Sequence, residues 1–465
     1  MSLNANATTV TEEDPFVDVE NFVVIGQTNV ARQVCASVSN RGHQVSHLAA
    51  PDDDDLKEIL TAGPIAVAVL THDDVVALRY ALAVAHLRPA TRLVVTIFDR
   101  TVGEQLGRLL PNCHVTSPAA LAVPTLAGPC LDRGLLAVQA TATGPRCVVA
   151  DTDTPTWRPI DLPRQPWITS RIAQLTELFA SHDPGIRILM TGLLGILTVL
   201  CADWMWLVLI KGHLIVDAFK ESAQVVTTVG PAEDSGGNHL YSVLTAFGML
   251  ATILFTAMFT AGVVERLLGP RLLGLVGTRA LPRSGHVVVV GLGQVGLRLC
   301  LELKALGVPV VAVERDPGAR NLRLVRSLKI PTIVGHGGDR QVLERIGVHR
   351  ALALAAVGSD ELDNIAVAVA AQAVHPDLRL VLRAGEQEAL AETRSLFPLG
   401  ITRDVTVLSA TYVSARLPGI SAHGVVSSGL RTYLETPEAG LVGFPTAARH
   451  QCRHVSIAKP DNPLP

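Results

Sequence analysis

The sequence predicts a membrane protein in which two transmembrane helices with a re-entrant segment are flanked by two Rossmann-like α/β domains. Two apolar spans near the centre of the 465-residue chain are each long enough to cross a bilayer, which takes about 20 residues of helix. A glycine-rich strand–turn–helix pattern occurs once before these spans and once after them. The composition, 48% hydrophobic and 17% charged, agrees with a small membrane unit joined to soluble domains.

The order of these elements divides the chain into six segments. Residues 1–20 contain no apolar signal-peptide core, so the N-terminus is expected to stay in the cytoplasm. The predicted segments are a disordered N-terminus at 1–20, a Rossmann-like domain at 21–150, a linker with an amphipathic helix at 151–185, a two-span domain at 186–266, a second Rossmann-like domain at 284–420 and a C-terminal tail at 421–465.

The two α/β domains repeat one pattern. Each begins with an apolar run, a tight turn and an amphipathic helix, and the distance from Gly26 to Gly42 equals that from Gly291 to Gly307. This arrangement is typical of a βαβ unit with parallel strands. The second copy has about twenty more residues before its next matching strand, so the first copy is expected to lack one helix–strand unit.

The glycine turn of the second copy is a candidate nucleotide site. Gly291 would permit the tight turn, Gly293 would let a pyrophosphate approach the backbone, and Gly296 would pack the helix against the strand. The pyrophosphate would then lie at the helix N-terminus, and Glu314 would accept hydrogen bonds from ribose hydroxyls. A turn that serves packing alone is the alternative. The predicted contacts around this turn are Gly291, Gly293, Gln294, Val295, Gly296, Glu314 and Arg315.

The first copy departs from this pattern at the positions that would bind a ligand. Its turn reads Gly26, Thr28 and Ala31, and Ala49 stands where Glu314 stands in the second copy. A β-carbon at position 28 would crowd a pyrophosphate, and no carboxylate is available for the ribose. The first domain is therefore predicted to be mainly structural.

The two apolar spans, Ile188–Ile210 and Leu240–Val264, predict a membrane hairpin. Arginines lie at both outer limits of the hairpin, for example Arg187 and Arg266. The loop between the spans contains two lysines and four acidic side chains. Cytoplasmic segments carry the excess of lysine and arginine. We therefore expect a multi-pass protein of the cell membrane with both termini in the cytoplasm.

The segment between the spans is a candidate pore segment. Residues 213–226 are compatible with a short re-entrant helix, which non-helical backbone would follow at 227–231. Such backbone is tolerated at membrane depth only where it is buried in protein or lines a watery cavity, and several subunits around an axis would supply that cavity. A loop that links two plain anchor helices is the alternative. The predicted ion-filter residues are Thr227, Thr228, Val229 and Gly230.

Together these motifs resemble the two-span potassium channels with RCK domains, also called TrkA-N domains. The resemblance rests on Thr228, Val229 and Gly230 and on the glycine turn with Glu314. It implies a homotetramer in the lipid bilayer whose RCK domains bind NAD(H) or another adenine nucleotide as a ligand, with K⁺ as the permeant ion. It also implies that Asp339 and Asp360 lie beside the ligand cleft.

The filter departs from the potassium-channel pattern after Gly230. Pro231 stands in place of the tyrosine and Ala232 in place of the second glycine. Proline fixes φ and removes an N–H, and alanine resists a positive φ, so the outer coordination sites are not expected to form. Residues 234–239 are also similar to the filter region of CASTOR/POLLUX-type cation channels. That second resemblance implies a non-selective or calcium-permeable pore.

The sequence therefore predicts a ligand-gated cation channel subunit rather than an enzyme. A membrane-tethered NAD-dependent oxidoreductase is one alternative, but no acid–base or nucleophile constellation accompanies the glycine turn, and His336 is the one residue that invites that interpretation. A membrane-tethered regulatory subunit of a potassium transporter is another. No catalytic or metal-binding residue is predicted, and the net charge of −3 does not favour nucleic acid as a partner.

Overall fold

The structure is a computed structural model, and it describes residues 20–150, 155–162, 184–227, 239–268, 282, 284–385, 400–428 and 431–445. It contains two compact units. One unit combines the residues up to 163 with those from 284 onward, and the other comprises residues 164–283. The predicted linker helix falls almost entirely outside the described residues.

The first α/β region contains a five-stranded parallel sheet, here called sheet 1, with the strand order β2-β1-β3-β4-β5. Its inner strands are apolar and buried, as expected for parallel strands covered on both faces. The elements are β1 (Asn21–Ile25), α1 (Asn29–Ser39), β2 (Gln44–Leu48), α2 (Asp53–Thr61), β3 (Ala66–Val69), α3 (Asp74–Leu87), β4 (Arg92–Thr96), α4 (Arg100–Leu109), β5 (Cys113–Thr116) and α5 (Pro118–Leu131). A three-stranded antiparallel sheet follows: β6 (Leu135–Thr141), β7 (Gly144–Val149) and β8 (Trp157–Pro159).

The described residues of the second unit form three helices: α6 (Pro184–Leu209), α7 (Ile215–Val226) and α8 (His239–Leu268). Two windows, Ile188–Leu209 in α6 and Ser242–Val264 in α8, are long and apolar enough to span a membrane, and only 11% of each window is buried within the chain. A core helix of a soluble protein would be mostly buried, so these apolar surfaces need another partner. The two helices approach closely at Gly192, where an added β-carbon would lie 2.6 Å from the backbone nitrogen of Phe259. Small residues at helix contacts are typical of membrane helices.

After the membrane-length helices comes a six-stranded parallel sheet, here called sheet 2, with the order β11-β10-β9-β12-β13-β14. Its elements are β9 (Val287–Val290), α9 (Gln294–Ala305), β10 (Val310–Glu314), α10 (Arg320–Ser327), β11 (Thr332–Val334), α11 (Arg340–Arg345), β12 (Ala353–Ala356), α12 (Glu361–Val374), β13 (Leu380–Ala384), β14 (Ile401–Asp404) and α13 (Val405–Arg416). Residues 424–444, in which the sequence shows no motif, form the antiparallel strands β15 (Gly424–Ser428), β16 (Arg431–Thr436) and β17 (Gly440–Phe444).

The two sheets confirm the predicted loss of one helix–strand unit. The strands β1 to β5 correspond in order to β9, β10, β12, β13 and β14, and β11 has no counterpart in sheet 1. A single helix, α2, connects β2 to β3, whereas α10, β11 and α11 lie between β10 and β12.

The two α/β regions exchange their last helices. Helix α5 follows the last strand of sheet 1, yet it is buried in one hydrophobic core with β9, β12 and α9 of the second region. Helix α13 follows the last strand of sheet 2, yet Ala410, Val413 and Leu417 are buried against β1, β3 and α1 of the first region. Each sheet therefore packs one face against the helix that follows the other sheet, whereas the other face of sheet 1 is covered by helices of its own region.

Two arginines at equivalent positions fasten the exchanged helices. The Arg92 Nη1 donates to the Leu417 carbonyl oxygen at 2.7 Å, just after α13, and the Arg379 Nη1 donates to the Cys130 carbonyl oxygen in α5 at 3.1 Å. The antiparallel strands add an ion pair of 2.7 Å between Arg146 and Glu435. The Arg146 guanidinium carbon also lies 4.1 Å from the centroid of the Trp157 ring.

Candidate functional site

The predicted nucleotide turn lies at the topological switch point of sheet 2. The strand order reverses between β9 and β12, and the carboxyl ends of these two strands meet at the turn that starts with Gly291. The Val357 N–H donates to the Val290 carbonyl oxygen at 2.9 Å and holds the two loops together. In open α/β sheets, ligands bind in the crevice outside the carboxyl ends of strands at such a point.

The three glycines of the turn have different physical roles. Gly291 has a φ of +92°, and a β-carbon there would lie 2.8 Å from the Cα of Gly358 in the neighbouring loop. A β-carbon at Gly296 would run into the Gly291 carbonyl oxygen. At Gly293, by contrast, a β-carbon would meet no atom within 4 Å, so packing within the chain does not require glycine there. The open space at Gly293 fits a ligand that approaches the backbone.

The N-terminus of α9 has free amides beside this space. The helix begins directly after Gly293, which supplies no side-chain cap, and it runs for 12 residues. The first N–H groups of a helix have no partner within the helix, and the helix dipole places partial positive charge there. Gln294, Val295 and Gly296 therefore contribute backbone donors that suit a phosphate.

The Glu314 carboxylate is held at the edge of the same turn. The Leu292 N–H donates to its Oε2 at 2.7 Å, and the Asp316 N–H donates to its Oε1 at 3.0 Å. Each carboxylate oxygen accepts more than one hydrogen bond, so both oxygens retain capacity for hydroxyl donors. Asn321 fixes the turn from the other side, because its Nδ2 donates to the Leu292 carbonyl oxygen at 2.8 Å.

The two predicted acidic positions begin helices that border the crevice. The Asp360 carboxylate is the N-cap of α12 and accepts from the Leu362 N–H at 2.9 Å. Asp339 is the N-cap residue of α11 and makes no side-chain cap hydrogen bond. Only Asp339 therefore has a carboxylate that its own helix does not use.

A network that the sequence analysis missed lies at the start of α12. The His336 Nε2 and the Asp363 Oδ1 are 2.9 Å apart, and the Arg315 Nη1 is 3.7 Å from the Asp363 Oδ2. Because the Gly338 N–H donates to the His336 Nδ1 at 3.1 Å, a neutral His336 has its proton on Nε2 and donates to Asp363. The network gives His336 a structural role and holds Arg315 near the end of β10. The acidic first turn of α12 was the available signal for Asp363.

The equivalent turn of sheet 1 is occupied by a side chain. The Thr28 Oγ1 accepts from the Ala31 N–H at 3.1 Å and donates to the Leu70 carbonyl oxygen at 3.0 Å. Gly26 keeps a positive φ of +136°, so the tight turn itself is preserved. Thr28 thus satisfies, with its own hydroxyl, a donor of the helix N-terminus that is open in α9.

Residues 287–405 match the TrkA-N domain family. This segment is a TrkA-N domain. The glycine turn, Glu314, Asp339 and Asp360 all lie within it.

Several curated relatives of the chain are named as potassium transport proteins. It is 23% identical over 195 residues to the voltage-gated potassium channel Kch of Escherichia coli, a match that covers 40% of this chain and 45% of that protein. It is 36% identical over 83 residues to the Trk system potassium uptake protein TrkA of Streptomyces coelicolor, covering 18% of this chain and 37% of that protein. The chain spans less than half the length of the curated relatives it matches. Among solved structures, the GsuK channel is similar at a TM-score of 0.49 with 15% identity, over 86% of this chain and 64% of that chain.

The predicted pore segment is separate in the chain from the TrkA-N domain. Helix α7 ends just before Thr227, whose Oγ1 donates to the carbonyl oxygens of Ala223 at 2.9 Å and Gln224 at 3.1 Å. The N-terminal end of α7 is fastened to α6, because the Trp204 Nε1 donates to the Ile215 carbonyl oxygen at 3.1 Å. The other predicted filter residues, Thr228, Val229 and Gly230, lie outside the described residues, as do Pro231 and Ala232.

Proposed function

We propose that this chain is a subunit of a homotetrameric, ligand-gated potassium channel whose TrkA-N domain binds a nucleotide or dinucleotide and gates the pore. The observation that carries the proposal is the combination in one chain of a TrkA-N domain with an uncapped α9 N-terminus and of two membrane-length helices separated by a short helix. The named relatives support potassium transport as the process.

The chemistry of the glycine turn supports NAD(H) or another adenine nucleotide as the ligand. The α9 amides would hold the pyrophosphate, and the Glu314 carboxylate would accept hydrogen bonds from ribose hydroxyls. Gly291 and Gly296 would act through the backbone, whereas Arg315, Asp339 and Asp360 would border the ligand. We assign the nucleotide no redox role. The polar side chains beside the turn, His336, Asp363 and Asp360, are used to hold the loops and helix starts in place.

The membrane unit supports an ion path lined by several copies of the chain. Helix α7 packs on α6 through one face, which buries Ala218 and Val225, whereas Ile215, Val216 and Phe219 are exposed. Non-helical backbone is tolerated at membrane depth only where it is buried in protein or lines a watery cavity, and a ring of subunits would supply such a cavity. We propose Thr227, Thr228, Val229 and Gly230 as the residues that line this path.

Gating would follow from a difference in ligand affinity between the open and closed states. Helix α8 continues in sequence through 269–282 into β9, and β9 leads directly into the glycine turn. A ligand that changes the position of the turn between two states would therefore act on the segment joined to α8. We propose that both termini and both sheets lie in the cytoplasm.

The proposal is tested by ion flux into liposomes that contain the purified full-length chain. We expect K⁺ flux that changes with NAD⁺, NADH or ADP, and loss of flux in the variant Gly230→Val. The matched control is Gly248→Ala in α8, where the added β-carbon would make only an ordinary contact of 3.6 Å with Val199. Absence of flux with every nucleotide would contradict the channel assignment. Reversal potentials in K⁺, Na⁺ and Ca²⁺ gradients distinguish a selective pore from the non-selective or calcium-permeable alternative.

A regulatory subunit of a separate potassium transporter is the second candidate, favoured by the 36% identity to an uptake protein named TrkA. The same liposomes separate the two proposals, since a regulatory subunit alone conducts nothing. Co-purification of the chain with a larger transporter, together with unchanged cellular K⁺ flux in Gly230→Val, would support this candidate.

A further inference from the structure

A cavity of about 550 Å³ opens at the amino ends of β3, β4 and β5 in sheet 1. Ile65 and Val94 form part of its apolar wall, and Asn112, Arg92, His114 and Arg416 provide its polar groups. This edge of the sheet is opposite to the Gly26 turn, which follows the carboxyl end of β1. The cavity is therefore distinct from the position where this fold binds dinucleotides.

A chain of hydrogen bonds fixes the Arg416 guanidinium at this cavity. The Arg416 Nη2 and the His114 Nδ1 are 2.9 Å apart, the His114 Nε2 and the Tyr412 hydroxyl are 2.9 Å apart, and the Tyr412 hydroxyl donates to the Ala422 carbonyl oxygen at 3.0 Å. Because Arg416 can only donate, the His114 Nδ1 accepts and its Nε2 carries the proton. Burial, with the nearby Arg416 charge, lowers the pKa of His114 to about 4, so the ring is neutral at pH 7.

The two guanidinium charges at the cavity are not balanced by the chain. Among the described residues, neither Arg92 nor Arg416 forms an ion pair with a carboxylate. Both side chains are half-buried, and each already donates to backbone or imidazole, which orients its remaining N–H groups. Arginine pairs of this kind suit phosphate, because the planar guanidinium donates two parallel charge-assisted hydrogen bonds.

A comparison with sheet 2 shows that the Arg416 charge is not required to hold the exchanged helix in place. Arg379 makes the same contact with α5 that Arg92 makes beyond α13, so the fastening role accounts for one arginine in each copy. Cys130 and Leu417 are the equivalent acceptors, and the residue before them is Pro129 in one case and Arg416 in the other. In the last strand of each sheet, Ile401 pairs with Val381 in sheet 2 as His114 pairs with Val94 in sheet 1. The His114–Arg416 pair is thus an addition of the first copy.

We propose that this cavity binds a small phosphate-bearing anion between Arg92 and Arg416. Arg92 belongs to sheet 1, and Arg416 belongs to the helix that continues from sheet 2. A bound anion would therefore contact both α/β regions, at a place separate from the nucleotide turn. The size of the cavity leaves room for an organic group attached to the phosphate.

The first test measures the affinity of the full-length protein in detergent for inorganic phosphate, from the rise of its thermal midpoint with phosphate concentration. We expect Arg92→Gln and Arg416→Gln each to weaken binding by about tenfold or more, because each removes charge-assisted hydrogen bonds. Arg379→Gln, which removes the equivalent helix contact without touching the cavity, is the matched control and should keep the wild-type affinity. Because the α9 N-terminus also suits phosphate, the titrations are repeated in a Gly293→Thr background, which fills that turn. The phosphate affinity that remains there belongs to the cavity, and Arg92→Gln and Arg416→Gln should still weaken it about tenfold or more.

The second test needs no variant and so does not depend on folding of a mutant. Phenylglyoxal modifies accessible arginines, and mass spectrometry of the treated wild-type protein reports each position. We expect inorganic phosphate to protect Arg92 and Arg416 and to leave the exposed Arg88 unprotected, since Arg88 donates to the Thr61 carbonyl oxygen outside the cavity. Equal modification of Arg92 and Arg416 with and without phosphate, or equal phosphate affinity in all four variants, would overturn the proposal.

Discussion

The two glycine turns of this chain have the same backbone form and opposite chemistry. Gly26 and Gly291 both have a positive φ, and a β-carbon at either would collide with or crowd the loop after the neighbouring strand, at Leu70 and Gly358 respectively. The next motif position is Thr28 in one turn and Gly293 in the other. The first glycine is thus needed by the fold in both turns, whereas the second position is filled by a hydrogen-bonded side chain in one turn and is open in the other.

The difference also has a cost for the second turn. In sheet 1 the Thr28 hydroxyl satisfies the Ala31 N–H and the Leu70 carbonyl oxygen, so the start of α1 is complete without a ligand. In sheet 2 the start of α9 has no side-chain cap, and its amides await solvent or an anion. The second turn lacks a stabilising cap, and under the proposed function the uncapped amides would hold a phosphate.

The largest expected effect comes from giving the second turn the residue of the first. In Gly293→Thr, the hydroxyl would cap α9 and the side chain would fill the open space, so we expect nucleotide affinity to fall by about a hundredfold, roughly 3 kcal/mol. Titration of the full-length protein with NAD⁺ or ADP measures this change. Thermal stability should be unchanged or higher, because an N-cap contributes about 1 kcal/mol. Unaltered affinity in Gly293→Thr would show that the turn does not hold the phosphates.

The Glu314 carboxylate at the end of β10 is the second difference between the two turns. We expect Glu314→Ala to weaken nucleotide binding about tenfold and to destabilise the TrkA-N domain by about 1–3 kcal/mol, because the N–H groups of Leu292 and Asp316 lose their acceptor. Chemical denaturation and titration measure the two effects separately. Ala49→Glu in the first copy is the control and should confer no binding while Thr28 remains. Binding by that variant would argue that the carboxylate alone decides.

A smaller effect is expected when the first turn loses its cap. Thr28→Ala should lower the stability of the first α/β region by about 1–2 kcal/mol, since one helix amide and one buried carbonyl lose their partner. Thr28→Ser keeps the hydroxyl and should remain close to wild type. The midpoint of thermal unfolding reports the change. A variant as stable as wild type would mean that water replaces the hydroxyl at this turn.

The smallest effect concerns the opposite edges of the two sheets, where His114 in β5 contrasts with the non-titrating Ile401 in β14. Burial lowers the pKa of His114 from 6.5 to about 4. Between these two pH values the unfolded chain takes up a proton at His114 and the folded chain does not. The contribution of His114 to the free energy of unfolding is therefore full above about pH 6.5 and is lost as the pH falls towards 4. We expect the thermal midpoint of His114→Gln to fall less than that of wild type between about pH 7 and pH 5. If the thermal midpoints of His114→Gln and of the wild-type protein fall equally between these pH values, the lowered pKa of His114 is contradicted.

Sequence reasoning predicted the parts of this molecule that depend on local pattern. The repeat, the missing helix–strand unit and the two apolar spans all follow from spacing and hydrophobicity. The role of Thr28 was predicted only in part: its β-carbon was expected to block a ligand, whereas its hydroxyl also caps the helix. Threonine is a common N-cap residue, so that second role was within reach of the sequence.

The exchange of α5 and α13 was beyond the reach of the sequence. Residues 118–131 are apolar nearly all round, which indicates burial but does not say against which sheet. The pairing of Arg416 with His114 depends on the same exchange, because the two residues are 302 positions apart. The contact of Asp363 with His336 and Arg315 likewise requires the loops of three strands to meet.

The shared cores also constrain how often the chain crosses a membrane. The residues before the two long helices and those after them contribute to common cores, so the folded chain holds the two regions together. Both must lie in the same aqueous compartment, and a chain that leaves a compartment and returns to it has crossed the bilayer an even number of times. Among the described residues two helices are long and apolar enough to cross, so if one of them spans the membrane, an even count requires the other to span it as well.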